Sequence, residues 1–382
     1  MRKAALRVGV VVPRFAPFRG GMETYVGSAA AALAAEGVEV SVITQAPRSA
    51  ALPRQEMRDG YAIERHRLPV TDIYDVPSLS AARAASKRGR FDVVWLHSYH
   101  TPLAWLAAEQ VKGPMVLTPH YHGVGHTPVR HALHRAYRPA GRRLMAMSRR
   151  IVVDTDSEAS LVLRHFAGQV QREQIAIIPP VVTDPTRGQQ RSNDQSNIVL
   201  TVARQEPYKR TDLLVRAVAL LNQRRISARL VVVGDGSALA AYRGLAARLG
   251  VEHLVTFTGS VDDETLGRWW ASASVYASAS LQEAYGIGLA GALSAGLPVV
   301  ASAIPAHCEV ISRAGPDAAT RLCGGDVSDA EAASRYANAI VELLSLHDSR
   351  EKRAIRCSLP SSAEVVEQLL ETLTAASERA RM

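Results

Sequence analysis

The sequence predicts an α/β protein built of two doubly wound parallel-sheet domains. Three observations carry this. Short β-branched runs alternate with helical segments; a polar stretch at 183–197 contains almost nothing that could be buried; and the same rhythm restarts beyond it. Short apolar strands separated by helices imply parallel sheets covered on both faces. At 382 residues the chain is long enough for two ordinary domains and their cores. The expected division is a first domain over 1–182, a linker over 183–197, a second domain over 198–360, and a closing helix in 361–382. Two such sheets joined by a linker enclose a cleft. Ligands of such sheets bind at the carboxyl ends of the strands, so the cleft is the expected site.

In the first domain, residues 6–12 read as a buried strand. A loop over 13–21 leads into a helix over 22–36 that Gly37 closes in a left-handed cap. Further strands are expected at 38–44, 93–96, 115–118, 151–153 and 175–178. Loop 47–77 shows no readable pattern. Beyond the linker come strand 198–203, helix 212–224 with one apolar face (Leu213, Leu214, Ala217, Val218, Leu220, Leu221), and strand 229–233. Gly234-Asp235-Gly236 turns the chain into helix 238–249, capped by Gly250. Strand 254–257, helix 262–271, strand 275–278, helix 286–295 and strand 298–302 follow. An amphipathic helix is expected near 363–373.

Hydrophobic residues at 47% and charged residues at 21% describe a folded chain rather than a disordered one. Cys308, Cys323 and Cys357 lie far from any zinc spacing, and three cysteines cannot all pair, so reduced thiols in a cytoplasmic protein are expected. The run 8–12 is cut by Pro13 and Arg14, too short for a secretory signal. The uncharged stretch 284–306 holds Gly286, Gly288, Gly291, Gly296, Pro298 and Pro305, which suit a helix, a turn and a strand rather than a membrane span. Net charge is +9, and seven arginines with no acid fall between Tyr121 and Arg150. Such a segment is either a solvated basic surface or a dock for anions: a phosphorylated acceptor or the anionic inner face of a membrane. No nucleic-acid motif accompanies it, so no nucleic-acid partner is expected.

The second half carries the chemistry. Arg204 follows strand 198–203, and Lys209 stands just before a helix; two cations beside a helix N-terminus suit a diphosphate. Glu283 lies in a loop after a strand, and Gly286 and Gly288 open the next helix. Glycines there let backbone N–H groups approach phosphate oxygens, and the carboxylate can accept hydrogen bonds from sugar hydroxyls.

The run VARQEPYKRTDLLVRAVALL, then VVVGDGSALAAYRGLAARLGVEHLVTFTGSVDDETL, then SASLQEAYGIGLAGALSAGLPVVAS, resembles the nucleotide-binding domain of retaining glycosyltransferases of family 4. The likeness covers roughly 198–345, and the order and spacing of the motifs make it specific. It implies the GT-B fold: two Rossmann-like domains facing a cleft, with a C-terminal helix packing back on the first. It further implies a nucleoside diphosphate sugar as donor substrate, no separate cofactor and no metal. By this resemblance Arg204 and Lys209 hold the donor diphosphate, and the amides of Gly286, Ile287 and Gly288 meet the same phosphates. Glu283 touches the transferred sugar, Val261 lies near the base, and Gly234 lines the donor pocket.

In the first domain Gly20-Gly21 matches the family's glycine loop after its first strand. Thr118-Pro119-His120 resembles its T-x-H motif, with His120 against the donor sugar and His122 as the competing histidine. The sequence departs from the family at Gly291, where a second glutamate normally holds the ribose hydroxyls. Alternatives therefore stand beside transfer: a binding or scaffold subunit that has lost catalysis, or another GT-B enzyme such as an epimerase. Asp154-Thr155-Asp156 spells the metal motif of an unrelated transferase fold, but Asp156 or Ser157 reads as the N-cap of a helix over 158–166.

Overall fold

The computed structural model describes residues 5–70, 74, 76–123, 128–189, 197–316, 318–346 and 357–378, with backbone alone for 128–136. By its internal contacts the chain divides into a unit of residues 1–181 plus 361–382 and a unit of residues 182–360.

The first unit runs β1 (Arg7–Val11), α1 (Gly21–Ala35), β2 (Glu39–Ala46), β3 (Gln55–Arg58), β4 (Tyr61–Arg67), α2 (Leu79–Ser86), β5 (Val93–His97), α3 (Pro102–Gln110), β6 (Met115–Thr118), α4 (Pro128–Met147), β7 (Arg150–Val153), α5 (Asp156–His165) and β8 (Ile175–Ile177). Its sheet order is β3-β4-β2-β1-β5-β6-β7-β8, parallel except for β3. The β3–β4 hairpin falls in the loop that showed no pattern, and turns on Asp59 and Gly60 with φ of 46° and 82°. One sheet face (Val11, Ile43, Val94, Leu96, Leu117, Ile151, Val153) packs with residues of α2, α3 and α4.

The second unit runs β9 (Ile198–Val202), α6 (Thr211–Gln223), β10 (Arg229–Val233), α7 (Leu239–Arg248), β11 (Val255–Gly259), α8 (Asp263–Ser272), β12 (Val275–Ser278), α9 (Ile287–Ser294), β13 (Val299–Ser302), α10 (Pro305–Ala314), β14 (Thr320–Cys323) and α11 (Asp329–Leu344). Its sheet, β11-β10-β9-β12-β13-β14, is wholly parallel. Alternate residues of each strand serve opposite cores. Val199, Leu230, Val232 and Val275 join α6 and α11, whereas Leu200, Val231, Val233 and Tyr276 join α8 and α9. That double coverage is why these strands read as continuous apolar runs.

The last helix, α12 (Ser362–Glu378), belongs to the first unit. It buries Val365, Val366, Leu369 and Leu373 and packs against α1, β5 and β6. Arg149 Nη1 donates to the carbonyl of Ala376 at its end (2.9 Å). Two Rossmann-like units, with the last helix returned to the first, make the GT-B architecture.

Of the expected linker, residues 190–196 lie outside the described residues, and 183–189 are counted with the second unit. Val182 packs on that unit's core, and Pro185 lies against α9, with its Cγ 3.7 Å from where a Cβ on Gly291 would stand.

Candidate functional site

In the second sheet β9 is flanked by β10 on one side and β12 on the other, so the strand order reverses between β9 and β12. The loops leaving their carboxyl ends must part there, which opens a crevice. Lys209 leaves β9 through a short 3-10 helix over Pro207–Lys209, and Glu283 leaves β12 in the loop before α9. Their side chains meet, Lys209 Nζ donating to Glu283 Oε1 at 2.5 Å. Ser280 Oγ donates to the same oxygen at 2.7 Å, and Glu283 Oε2 accepts no hydrogen bond among the described residues. Burial pushes the Glu283 carboxyl up, but the charge and hydrogen bond of Lys209, with His307 and Ser280, bring it below the usual carboxylate range. The ion pair is therefore formed at neutral pH.

Arg204 is exposed, and its guanidinium has no hydrogen bond or ion pair among the described residues. The loop that carries it is fixed by Gln205, a residue the motifs did not single out. Gln205 is fully buried; its Nε2 donates to the carbonyl of Ala203 (2.8 Å), and its Oε1 accepts from Thr211 Oγ1 (2.7 Å). A Cβ at Gly234 would stand 2.0 Å from the Ala203 carbonyl oxygen, and one at Gly236 2.4 Å from that of Gln205. Only glycine lets the two loops close together. Gly234 N also donates to Gly259 O (2.8 Å), which brings in the loop with half-buried Val261.

Gly286 caps α9 with φ of 98°, the left-handed region that favours glycine. A Cβ at Gly288 would stand 2.4 Å from the Tyr276 hydroxyl. The structure thus gathers Arg204, Lys209, Gly234, Glu283, Gly286, Ile287 and Gly288 at one end of one sheet, with Val261 reached through Gly259.

Beneath Gly286 lies His307, which sequence reasoning missed. It is buried, and its Nδ1 lies 3.0 Å from Ser302 O and 3.1 Å from Ser302 Oγ. Burial holds its pKa below the usual imidazole value despite the opposing pull of Glu283.

In the first unit His120 follows β6 with φ of 49°. Its Nδ1 lies 3.5 Å from Asp154 Oδ2, and its Nε2 lies 3.3 Å from Nδ1 of fully buried His97. Tyr25 packs its ring edge on His120, centroids 5.2 Å apart. Glu158 Oε1 accepts from Tyr121 N (2.5 Å) and Oε2 from Asp154 N (2.9 Å), clamping the histidine loop to the end of β7. His122 is half-buried. The D-x-D reading needs correction, because the cap of α5 is Thr155, whose Oγ1 accepts from Glu158 N (3.1 Å), not Asp156 or Ser157. Asp154 is free of that duty and faces His120. Gly20 is extended, Gly21 is the first residue of α1, and nothing lies within 4 Å of a Cβ on Gly21.

Of the arginine-rich segment, the side chains of Arg130 and Arg135 lie outside the described residues. Arg143 pairs with Glu109 (2.5 Å), Arg149 with Ala376 O, and Arg150 with Glu173 O. Among the described residues no helix is long and apolar enough to cross a membrane, and no three His, Cys, Asp or Glu side chains are placed to hold a metal.

A family model of glycosyl transferases group 1 matches residues 182–356, and one of a glycosyl transferase 4-like domain matches residues 20–180. The D-inositol 3-phosphate glycosyltransferase of Streptomyces avermitilis is 30% identical over 329 residues, 75% of this chain and 68% of that one. Sucrose-phosphate synthase from Thermosynechococcus elongatus shares the fold with a TM-score of 0.72 at 20% identity, covering 98% of this chain and 97% of that one. Anabaena Alr3699/HepE in complex with UDP-glucose gives 0.70 at 14% identity, covering 97% and 100%.

Proposed function

The chain is a glycosyltransferase, and from that premise we propose that it moves a sugar from a nucleoside diphosphate sugar to an acceptor hydroxyl with retention of configuration, as a family 4 member. The observation that carries the donor assignment is the Lys209–Glu283 pair (2.5 Å) at the switch point of the second sheet, beside the glycine-opened start of α9. A diphosphate there meets Arg204, the remaining N–H bonds of Lys209, and the amides of Gly286, Ile287 and Gly288. Glu283 Oε2 is left to accept from a hydroxyl of the transferred sugar. The relative solved with UDP-glucose supports a nucleotide-sugar donor.

In the proposed reaction the bond between the anomeric carbon and the diphosphate oxygen breaks, and the leaving group takes the electron pair. The acceptor oxygen bonds the anomeric carbon on the same face, and its proton passes to the departing phosphate. Catalysis comes from cations and amides set in advance where charge develops, not from a strong base. His120, held by Asp154 and His97, is the proposed sugar contact of the first unit, and the Gly20-Gly21 loop its proposed phosphate contact. For the basic segment around α4 we propose an anionic acceptor. Flotation with anionic liposomes tests a membrane role, and no binding at low or moderate salt removes it.

Lys209→Ala and Arg204→Ala should each lower kcat by about 10²–10³-fold, the loss typical of removing one such donor, with the thermal midpoint kept. Wild-type turnover in both takes them out of the mechanism. Gly291→Glu separates a decayed site from one built around glycine. With Pro185 seated at 3.7 Å from the Cβ position, a longer side chain meets that ring, and no gain in donor binding is expected. A large gain would favour the decayed reading.

A further inference from the structure

The loop between β12 and α9 has no regular backbone pairing, so isolated hydrogen bonds, of backbone and side chain, must fix Glu283. Several do. Leu281 N donates to Tyr208 O (2.8 Å), and Ser280 Oγ donates to Glu283 Oε1 (2.7 Å). Ser302, the last residue of the neighbouring strand β13, donates its hydroxyl to Ser280 O at 2.5 Å. That hydroxyl has one proton, and it is spent there. A carbonyl oxygen only accepts, so the contact of His307 Nδ1 with Ser302 O (3.0 Å) requires the proton on Nδ1. The same N–H can be shared with a lone pair of Ser302 Oγ at 3.1 Å. The other edge of the ring supports the turn into α9: a Cβ on Gly286 would stand 3.2 Å from His307 Cδ2 and 3.5 Å from Nε2.

We propose that Ser302 and His307 form the positioning pair of the donor site, a strut from β13 and α10 that fixes the Ser280 carbonyl and the Gly286 turn, and so sets Glu283 against the first amides of α9. The pair acts through Glu283 and the turn, and its assignment rests on the donor-site reading above. The imidazole must be in its Nδ1–H form, and the strut must matter to the sugar end of the donor, which Glu283 meets, more than to the diphosphate, which keeps the cations Arg204 and Lys209 besides the α9 amides.

The experiment compares His307→Leu, which keeps bulk without the N–H, Ser302→Ala, which removes the hydroxyl, and His307→Asn, whose amide nitrogen replaces Nδ1. Dissociation constants for UDP, GDP and dTDP, and kcat with the donor that the wild type uses, are measured on all four proteins. His307→Leu and Ser302→Ala are expected to lose on the order of 10- to 100-fold in kcat, the scale of a misplacement of about 1 Å, with nucleoside diphosphate affinity held within about 3-fold. His307→Asn is expected to recover most of the loss. Wild-type kcat in both His307→Leu and Ser302→Ala overturns the proposal, and so does a parallel loss of diphosphate affinity and thermal midpoint, which marks a purely structural role. A wild type that binds none of the three diphosphates overturns the donor-site reading itself. Independently of any ligand, the imidazole ¹⁵N shifts of His307 should report a protonated Nδ1; an Nε2–H form overturns the strut.

Discussion

At the scale of single residues, two buried histidines set the acid side of stability. Burial, with the neighbouring His120, holds His97 well below the usual imidazole value, and burial also lowers His307. Both stay neutral in the fold, while the unfolded chain takes up protons below about pH 6.5. Their contribution is complete above that pH and is lost as pH falls from there toward the folded values. The thermal midpoint should therefore drop between pH 7 and 5.5, and His97→Gln should flatten that slope; an unchanged slope removes His97 from the account. Glu64 acts in a separate, lower window. A hydrogen bond from His66, and then Arg90, hold it at about 2, so its contribution is present above the unfolded value near 4.5 and fades as pH falls toward 2. Asp154 supplies another residue-scale prediction. Asp154→Asn removes the negative group 3.5 Å from His120 and should lower kcat while leaving diphosphate affinity unchanged; equal turnover would make Asp154 a bystander. The sequence named Asp154 only within a D-x-D read as helix capping by Asp156 or Ser157, and nothing in it told that Asp154 faces His120. His307 was hidden for a related reason: a lone histidine on a helix carries no signal until the loop above it is known. The placement of Arg204, Lys209, Glu283 and the glycines at strand ends was legible, because the alternation of strands and helices reveals where each strand stops.

At the scale of elements, α9 is the sensitive one. Gly288→Ala places a methyl 2.4 Å from the buried Tyr276 hydroxyl, and overpacking of this kind costs about 1–3 kcal/mol. Both the thermal midpoint and donor affinity should fall. Gly21→Ala, in open space at the start of α1, should leave stability unchanged. Wild-type donor binding by Gly288→Ala would place the phosphates elsewhere. Several elements went unread although their signals were present. The β3–β4 hairpin turns on Asp59-Gly60, and a two-residue Asp-Gly turn between paired runs is a strong hairpin mark. Pro305 stands at the first position of α10, and Ser328 accepts from Glu331 N (3.3 Å) to cap α11. The alanine-rich α2 gives little contrast between its faces, since Ala81, Ala82 and Ala85 are buried by packing on α3 and the sheet rather than by bulk.

At the scale of the molecule, each unit has a core of its own, and α12 completes the first. Its Val365, Val366, Leu369 and Leu373 are each worth about 1.5–3 kcal/mol when fully buried, a sum comparable to the net stability of a domain. Deleting 361–382 should leave the first unit open to limited proteolysis while a fragment near 182–360 survives; resistance of both would refute this. The polar composition of 183–197 gave no hint that its first part lies on the second unit, because the contact needs only Pro185 and the preceding Val182, which the expected boundary places in the first domain. There is also an order in time. Residues 182–360 leave the ribosome as one uninterrupted stretch with all their partners at hand. The earlier-made sheet must wait, its apolar side bare at α1, β5 and β6, until 362–378 have been translated. During synthesis the nascent chain therefore offers a chaperone a surface that the finished protein no longer shows.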